Sequence, residues 1–146
     1  MIRRIEELSL NAWPALQNMN YDGWIIRFSE GYTKRANSVQ PIYPSSEAAK
    51  EKIKICEEIY APHDLDVVFK ITPDVYPKHL DEILVEKGYN KVAPTSVQVF
   101  DLDNIKEVSL KNIDFQPQVT EKWNNEFYRL SGKNTSSKSI HFRMLR

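Results

Sequence analysis

An α/β domain with a mixed central sheet flanked by helices is the fold class this sequence predicts, and three observations carry it. The β-rich runs YDGWIIRF and YTKRANSV are separated only by Ser29, Glu30 and Gly31, the pattern of a hairpin whose turn uses glycine at positive φ. A helix-patterned run follows from Glu47 to Tyr60. The apolar run Val67 to Ile71 comes next, and the crossover from Val39 through that helix is long enough for a parallel, right-handed βαβ unit.

Taken in order, Ile2 to Leu10 places Ile2, Ile5 and Leu8 at helical spacing between charged residues, which predicts a short amphipathic helix ending near Trp13 and Pro14. Trp13 and Leu16 are expected to cap a core. In the first strand Trp24, Ile26 and Phe28 share a face. The second strand is less apolar, with Thr33, Arg35, Asn37 and Val39 on one side and Tyr32, Lys34, Ala36 and Ser38 on the other, so one face meets something polar. Ser45 or Ser46 offers an N-cap oxygen to the second helix, whose stripe is Ala49, Ile53, Cys56 and Tyr60, widened by Ile59. A third helix is predicted from Pro77 to Lys87, with Leu80, Ile83 and Leu84 as its stripe and Gly88 at its stop. Thr95 to Leu102 reads as a fourth strand, and Ile105 to Pro117 as a short strand followed by a turn-prone stretch. Glu121 to Ser131 predicts a last helix with Trp123, Phe127 and Leu130 on one face and Gly132 at its end. The basic tail KNTSSKSIHFRMLR is expected to be poorly ordered unless it docks on a partner. The expected division is a domain over 1–102 and then, over 103–146, a linker, one helix and a flexible tail.

At 146 residues the chain suits one compact domain, able to bury roughly 68–70% of its unfolded surface. Acidic and basic residues balance at 20 each, which provides no overall attraction to nucleic acid or to an anionic membrane surface. The stretch around Trp24, Tyr32, Lys34 and Arg35 is too short for a single-strand nucleic-acid groove. No apolar run approaches the length of a membrane span. One cysteine, Cys56, excludes an internal disulfide, and the start MIRRIEELSL is too broken by charge for a signal peptide, which together point to a reducing, cytoplasmic setting. His63, His79 and His141 are too scattered for metal ligation, so no metal is expected. Cys56 lies on the buried stripe and reads as a core residue rather than a nucleophile. Asp64, Asp66, Asp81 and Glu82 make no general base without a cleft around them.

The functional question centres on Gly31 to Ser46, GYTKRANSVQPIYPSS, which reads as strand, short loop and helix start. In many α/β domains such a junction holds an anionic cofactor, because the first helical N–H groups point outward unpaired. Here Pro41 and Pro44 remove two donors, and the loop after Gln40 contains no glycine to take open, left-handed turns. The junction has the shape of a cofactor site without its chemistry.

This order of elements, with a helix closing on EKGY, resembles the core of the GNAT acyltransferases. More closely, NAWPALQ, YDGWIIRFSEGYTKRANSV, KIKICEEIYAPHDLDVVFKIT and LDEILVEKGY resemble the amino-terminal half of a bacterial GNAT subfamily built from two such units in tandem. The resemblance covers about Ile5 to Leu102 and extends weakly to the helix around Trp123, and GYTKRANSV is its most specific part. It implies a GNAT-like mixed sheet, acetyl-CoA as the family cofactor, and direct attack of an amine on the thioester with a general base taking the proton. In that family the acetyl-CoA pyrophosphate is held by a glutamine- or arginine-led, glycine-containing loop, which maps onto Gln40 to Ser46. Gln40 alone matches its motif, so the cofactor-binding set is reduced to a degenerate loop of Gln40, Ser45 and Ser46. Two missing charge-assisted bonds at about 1.5–3 kcal/mol each lower affinity by about 3–6 kcal/mol, roughly two to four orders of magnitude.

The resemblance therefore implies an amino-terminal unit with no catalytic residue and no cofactor of its own, supporting the acceptor cleft of an acetyl-CoA-dependent N-acetyltransferase. The intact loop is expected in a carboxy-terminal GNAT catalytic domain that either continues past Arg146 or has been lost. Lys34, Arg35, Asn37 and Ser38 are the candidate substrate-binding residues: Lys34 and Arg35, next to Asn37 and Ser38, are placed to grip an anionic substrate or the other half, with Arg35 and Asn37 facing the cleft for a small-molecule amine acceptor; the alternative is that they are solvated strand residues. Tyr60, Tyr89 and Tyr128 do not follow the helix of an intact catalytic half, so packing roles are expected for them. The competing class is a stand-alone module that self-associates through an exposed apolar patch. A third reading has Lys34, Arg35 and Ser46 holding acyl-CoA through side chains.

Overall fold

The computed structural model describes residues 1–103, 113 and 115–146. Among these, helix α1 (Ile2–Ala12) leads into an antiparallel sheet of β1 (Gln17–Tyr21), β2 (Trp24–Phe28) and β3 (Val39–Gln40), in the order β1-β2-β3. Helices α2 (Ala49–Tyr60), α3 (Leu80–Glu86), α4 (Glu121–Ser131) and α5 (Lys138–Met144) follow. The chain is thus of the α/β class. Its sheet, however, is antiparallel among the described residues, with the expected parallel pairing reduced to a bridge between Val39 and Phe69. There Val39 N donates to Val68 O at 2.8 Å and Lys70 N donates to Val39 O at 3.0 Å. With β3 only two residues long, Val67 to Ile71 finds little to pair with.

The hairpin lies one strand earlier than the sequence reading placed it. β1 and β2 are joined by Asp22 and Gly23, with Gln17 opposite Phe28 and Tyr21 opposite Trp24. These two residues have φ of 40° and 80°, as in the two-residue turns whose twist matches that of the flanking strands. Glycine is needed at position 23 for a second reason: a Cβ there would lie 2.2 Å from the Pro44 carbonyl oxygen. Residues 34–36, expected to be strand, form a 3-10 turn instead.

One face of the sheet holds the core. Trp24, Ile26 and Val39 pack with Ala49, Ile53, Cys56 and Tyr60 of α2 and with Leu80, Ile83 and Leu84 of α3. Burial of each large side chain contributes about 1.5–3 kcal/mol, which is what holds both helices to the sheet. α2 begins at Ala49, with Ala48 in the N-cap position, because Ser45 and Ser46 are engaged elsewhere. α3 begins at Leu80 rather than Pro77, after a turn in which Leu80 N donates to Pro77 O.

The other face is polar. Arg27 N donates to Ser38 O and Ile25 pairs with Gln40, so Ile25, Arg27, Ser38 and Gln40 share this side. α1 covers it with a matching polar residue: Glu6 is buried and ion-pairs with Lys70, while Leu8, expected on the apolar stripe, is exposed.

Thr95 to Leu102 forms no strand, and Val97, Val99, Phe100 and Leu102 are exposed. Among the described residues the sheet consists of β1, β2 and β3, and this segment is paired with none of them. The expected strand within Ile105 to Pro117 falls largely outside the described residues. α4 occupies its expected span, capped by Thr120 Oγ1 accepting from Trp123 N at 3.1 Å and ended by Gly132 with φ 63°. Its buried residues are Asn124 and Tyr128, whereas Trp123 and Leu130 face outward. The tail, expected to be poorly ordered, forms α5 and docks on the chain itself. His141 is buried among the rings of Trp13, Tyr32, Trp123, Phe127 and Tyr128, with centroids 4.8–6.2 Å away. Its Nδ1 lies 3.0 Å from Asn124 Oδ1, and Arg143 pairs with Glu30 at 2.6 Å.

Candidate functional site

The segment Ser29 to Gln40 carries the four candidate substrate residues, and it divides them. Asn37 is buried and holds the loop closed: its Oδ1 accepts from Ser29 N at 2.7 Å and Gly31 N at 3.1 Å, and its Nδ2 donates to Thr33 O at 2.8 Å. These local bonds compete with a strand ladder, which explains why YTKRANS loops outward. Ser38 is also buried, accepting from Gln40 Nε2 at 2.6 Å. Lys34 and Arg35 are exposed, and the Arg35 guanidinium lies 4.8 Å from the centroid of the Trp13 ring.

Sequence reasoning missed Arg27, the residue that positions this loop. Its buried guanidinium donates to Arg35 O at 2.7 Å, to Trp13 O, and at longer range to Asn18 Oδ1 and Leu10 O. Tyr60 Oη donates in turn to Arg27 O at 2.7 Å. The available signal was an arginine set between apolar residues in WIIRF, on the face opposite Trp24, Ile26 and Phe28.

The junction from Gln40 into α2 holds the second missed group, Asp22. Its carboxylate reaches from the β1–β2 turn and accepts from Ser45 Oγ at 2.7 Å, Ser46 Oγ at 2.7 Å, Ser46 N at 3.0 Å and Glu47 N at 2.9 Å. The backbone N–H groups of Glu47 and Ser46, followed by the two serine hydroxyls, hold the acid well below the usual carboxylate range. Lys52, whose side chain is 0% exposed, completes the cluster by donating to Asp22 Oδ2 at 3.1 Å, to Asp22 O and to Ser45 Oγ. Burial lowers the pKa of its ammonium, opposed by the bond to Asp22. The ammonium also lies 4.2 Å from the Trp24 ring centroid. Tyr21 Oη donates to Glu47, and that bond leads in raising its pKa to about 12. Gln40 is buried on the polar side of the sheet, and its Oε1 has no partner among the described residues.

The remaining candidates are held in packing roles. Tyr89 Oη donates to Glu57 at 2.8 Å, and Tyr128 Oη lies 3.4 Å from Tyr32 Oη. Burial pushes the Cys56 thiol up to about 12, so it stays protonated and unreactive. Among the described residues no group of three or more His, Cys, Asp or Glu could hold a metal. An open groove of about 600 Å³ lies away from this junction, lined by Ile113, Phe115, Trp123 and their neighbours.

A family model described as "Probable histone acetyltransferase Rv0428c C-terminal" matches residues 1–140. The chain belongs to this acetyltransferase family. It is also 30% identical over 126 residues to the "Uncharacterized N-acetyltransferase YobR" of Bacillus subtilis (strain 168), an alignment covering 86% of this chain and 48% of that protein. The chain thus spans about half the length of the curated relative it matches, and both matches support a GNAT-type N-acetyltransferase relationship. No solved structure matches it. No described helix is long and apolar enough to cross a membrane. Acetyl-CoA is the cofactor such a family implies, and the Gln40 to Ser46 junction does not fit its pyrophosphate: Ile42 N donates to Gln40 O, Tyr43 N to Gly23 O, and the Ser46 and Glu47 amides to Asp22.

Proposed function

We propose that this chain is a GNAT-like unit, the amino-terminal one of two, that supports an acetyl-CoA-dependent N-acetyltransferase and holds no cofactor of its own. One observation carries the reading: the Asp22 carboxylate takes up the Ser45, Ser46, Glu47 and Lys52 donors that a pyrophosphate would need. The parallel bridge between Val39 and Phe69 favours a GNAT-like mixed sheet over a purely antiparallel one. The partner is a catalytic GNAT half, and the acceptor is a small-molecule amine. Of the four substrate candidates, Lys34 and Arg35 face outward and are assigned to the cleft wall; Asn37 and Ser38 shape the loop that presents them.

Calorimetric titration with acetyl-CoA tests the first part. No heat at millimolar ligand is expected, and a micromolar dissociation constant would refute it. In a protein carrying both units, Lys34→Ala and Arg35→Ala should lower the acetylation rate or change acceptor choice; unchanged kinetics in both would remove them from the cleft.

A second reading, self-association without acyl transfer, is favoured by the exposed Val97, Val99, Phe100 and Leu102 and by the groove at Phe115 and Trp123. Sedimentation across a concentration series separates the two, since a strict monomer at high concentration excludes the second.

A further inference from the structure

We propose that Asp22 is a built-in anion, filling the cradle made by Ser45, Ser46, Glu47 and Lys52 so that this junction is closed to phosphate groups. The inference deepens the reading above and rests on it for the identity of the excluded ligand; the seating of the carboxylate rests on geometry alone.

Four observations support it. The cradle is an anion receptor by composition, with two backbone N–H groups, two hydroxyls and one ammonium converging on the two oxygens of a single carboxylate. The ammonium has no access to water, since the Lys52 side chain is 0% exposed, so its charged form is favoured by a negative partner in the cradle. The carboxylate comes from a different part of the chain, 23 to 30 residues before its partners. Its delivery is also fixed: Gly23 O accepts from Tyr43 N at 3.1 Å, and the Gly23 Cα sits against the Pro44 carbonyl too closely for any Cβ. A phosphate taking these donors must displace the Asp22 carboxylate.

The test removes the carboxylate and offers the cradle another anion. Asp22→Gly suits the backbone, because φ is 40° at this position and glycine accepts positive φ without strain. Thermal unfolding of the variant and the wild type is measured with inorganic pyrophosphate and with potassium chloride at matched ionic strength. The variant is expected to unfold at lower temperature and to regain about 5–10 °C at roughly 100 times the dissociation constant of pyrophosphate, while the wild type does not respond beyond the salt control. A variant stabilised no more by pyrophosphate than by chloride, or a wild type stabilised equally, overturns the inference. Should the variant not fold, carboxyl NMR of the wild type decides. Asp22 should titrate far below ordinary aspartates and carry the Ser46 and Glu47 amide shifts with it, whereas titration at the ordinary value shows that it is not seated. Micromolar acetyl-CoA binding by the wild type with Asp22 seated would defeat the proposed function and leave this inference standing; loss of the anion response would do the reverse.

Discussion

Replacing Arg27 by methionine should unfasten both the candidate loop and the amino-terminal helix. Arg27 is 2% exposed, and its two shorter side-chain bonds go to the carbonyls of Arg35 and Trp13. Bonds from a charged donor contribute about 1.5–3 kcal/mol each, so losing two costs about 3–6 kcal/mol. Methionine recovers part of this by keeping apolar volume in place, leaving a net loss of about 2–4 kcal/mol. That is a large share of the roughly 5–15 kcal/mol that holds a domain of this size together. Urea denaturation followed by tryptophan fluorescence reads it directly. With a slope of about 2 kcal/mol/M, the midpoint should fall by about 1–2 M with the slope unchanged. Arg27→Lys should recover less than half of the loss, since an ammonium cannot span carbonyls on two segments as a planar fork does. A midpoint shift under about 0.3 M for Arg27→Met, or full recovery by lysine, would refute the assignment of Arg27 as the tie between α1 and the Ser29–Gln40 loop.

Three further outcomes follow from named contacts. Gly23→Ala places a Cβ 2.2 Å from the Pro44 carbonyl oxygen at a φ of 80° and should destabilise by about 2–4 kcal/mol, read as a fall in urea midpoint. Burial first and Lys133 second lower the pKa of His141 from the ordinary 6.5, so the unfolded chain binds the extra proton. Stability from α5 docking should therefore be fully present above about pH 6.5 and fall as pH drops through that value toward the folded pKa; His141→Phe should flatten the profile of α5 amide exchange against pH. The Cys56 thiol, buried and pushed up to about 12, should react with an aromatic disulfide no faster than the chain opens, and fast labelling of the native state would contradict its burial.

What the sequence made legible was the apolar pattern. Ala49, Ile53, Cys56 and Tyr60, then Leu80, Ile83 and Leu84, all lie in the core as their spacing requires, because burial of an apolar stripe depends on period and little else. The misreadings share a different cause. Ser29, Glu30 and Gly31 resemble a hairpin turn, yet the Asp22–Gly23 pair beside an aromatic strand was the stronger signal, masked because QNMNY lacks the alternation expected of a strand. β1 has no buried residue, so nothing in its composition recorded its pairing. On α4, Trp123, Phe127 and Leu130 outweigh Asn124 and Tyr128 in hydrophobicity, but the helix turns the latter pair inward because His141 and Tyr32 present polar partners to them. A hydropathy stripe cannot register a partner more than ten residues away.

The same limit explains why the junction was half readable. Prolines at 41 and 44 and the missing glycines were visible in the chain, and they predict a loop that cannot wrap a phosphate. What occupies the junction was not visible, because Asp22 and Lys52 lie 30 residues apart and each has an ordinary local reading: a turn aspartate, and a lysine on a helix among other lysines and glutamates. Only the fold turns Lys52 inward, over the Trp24 ring and under the β1–β2 turn, where its charge demands an anion. Left without an anion beside it, the buried ammonium would cost several kcal/mol. The Asp22 carboxylate meets that demand from within the chain. Introducing glycine into the loop while leaving Asp22 in place should therefore create no phosphate binding, which titration with inorganic pyrophosphate checks.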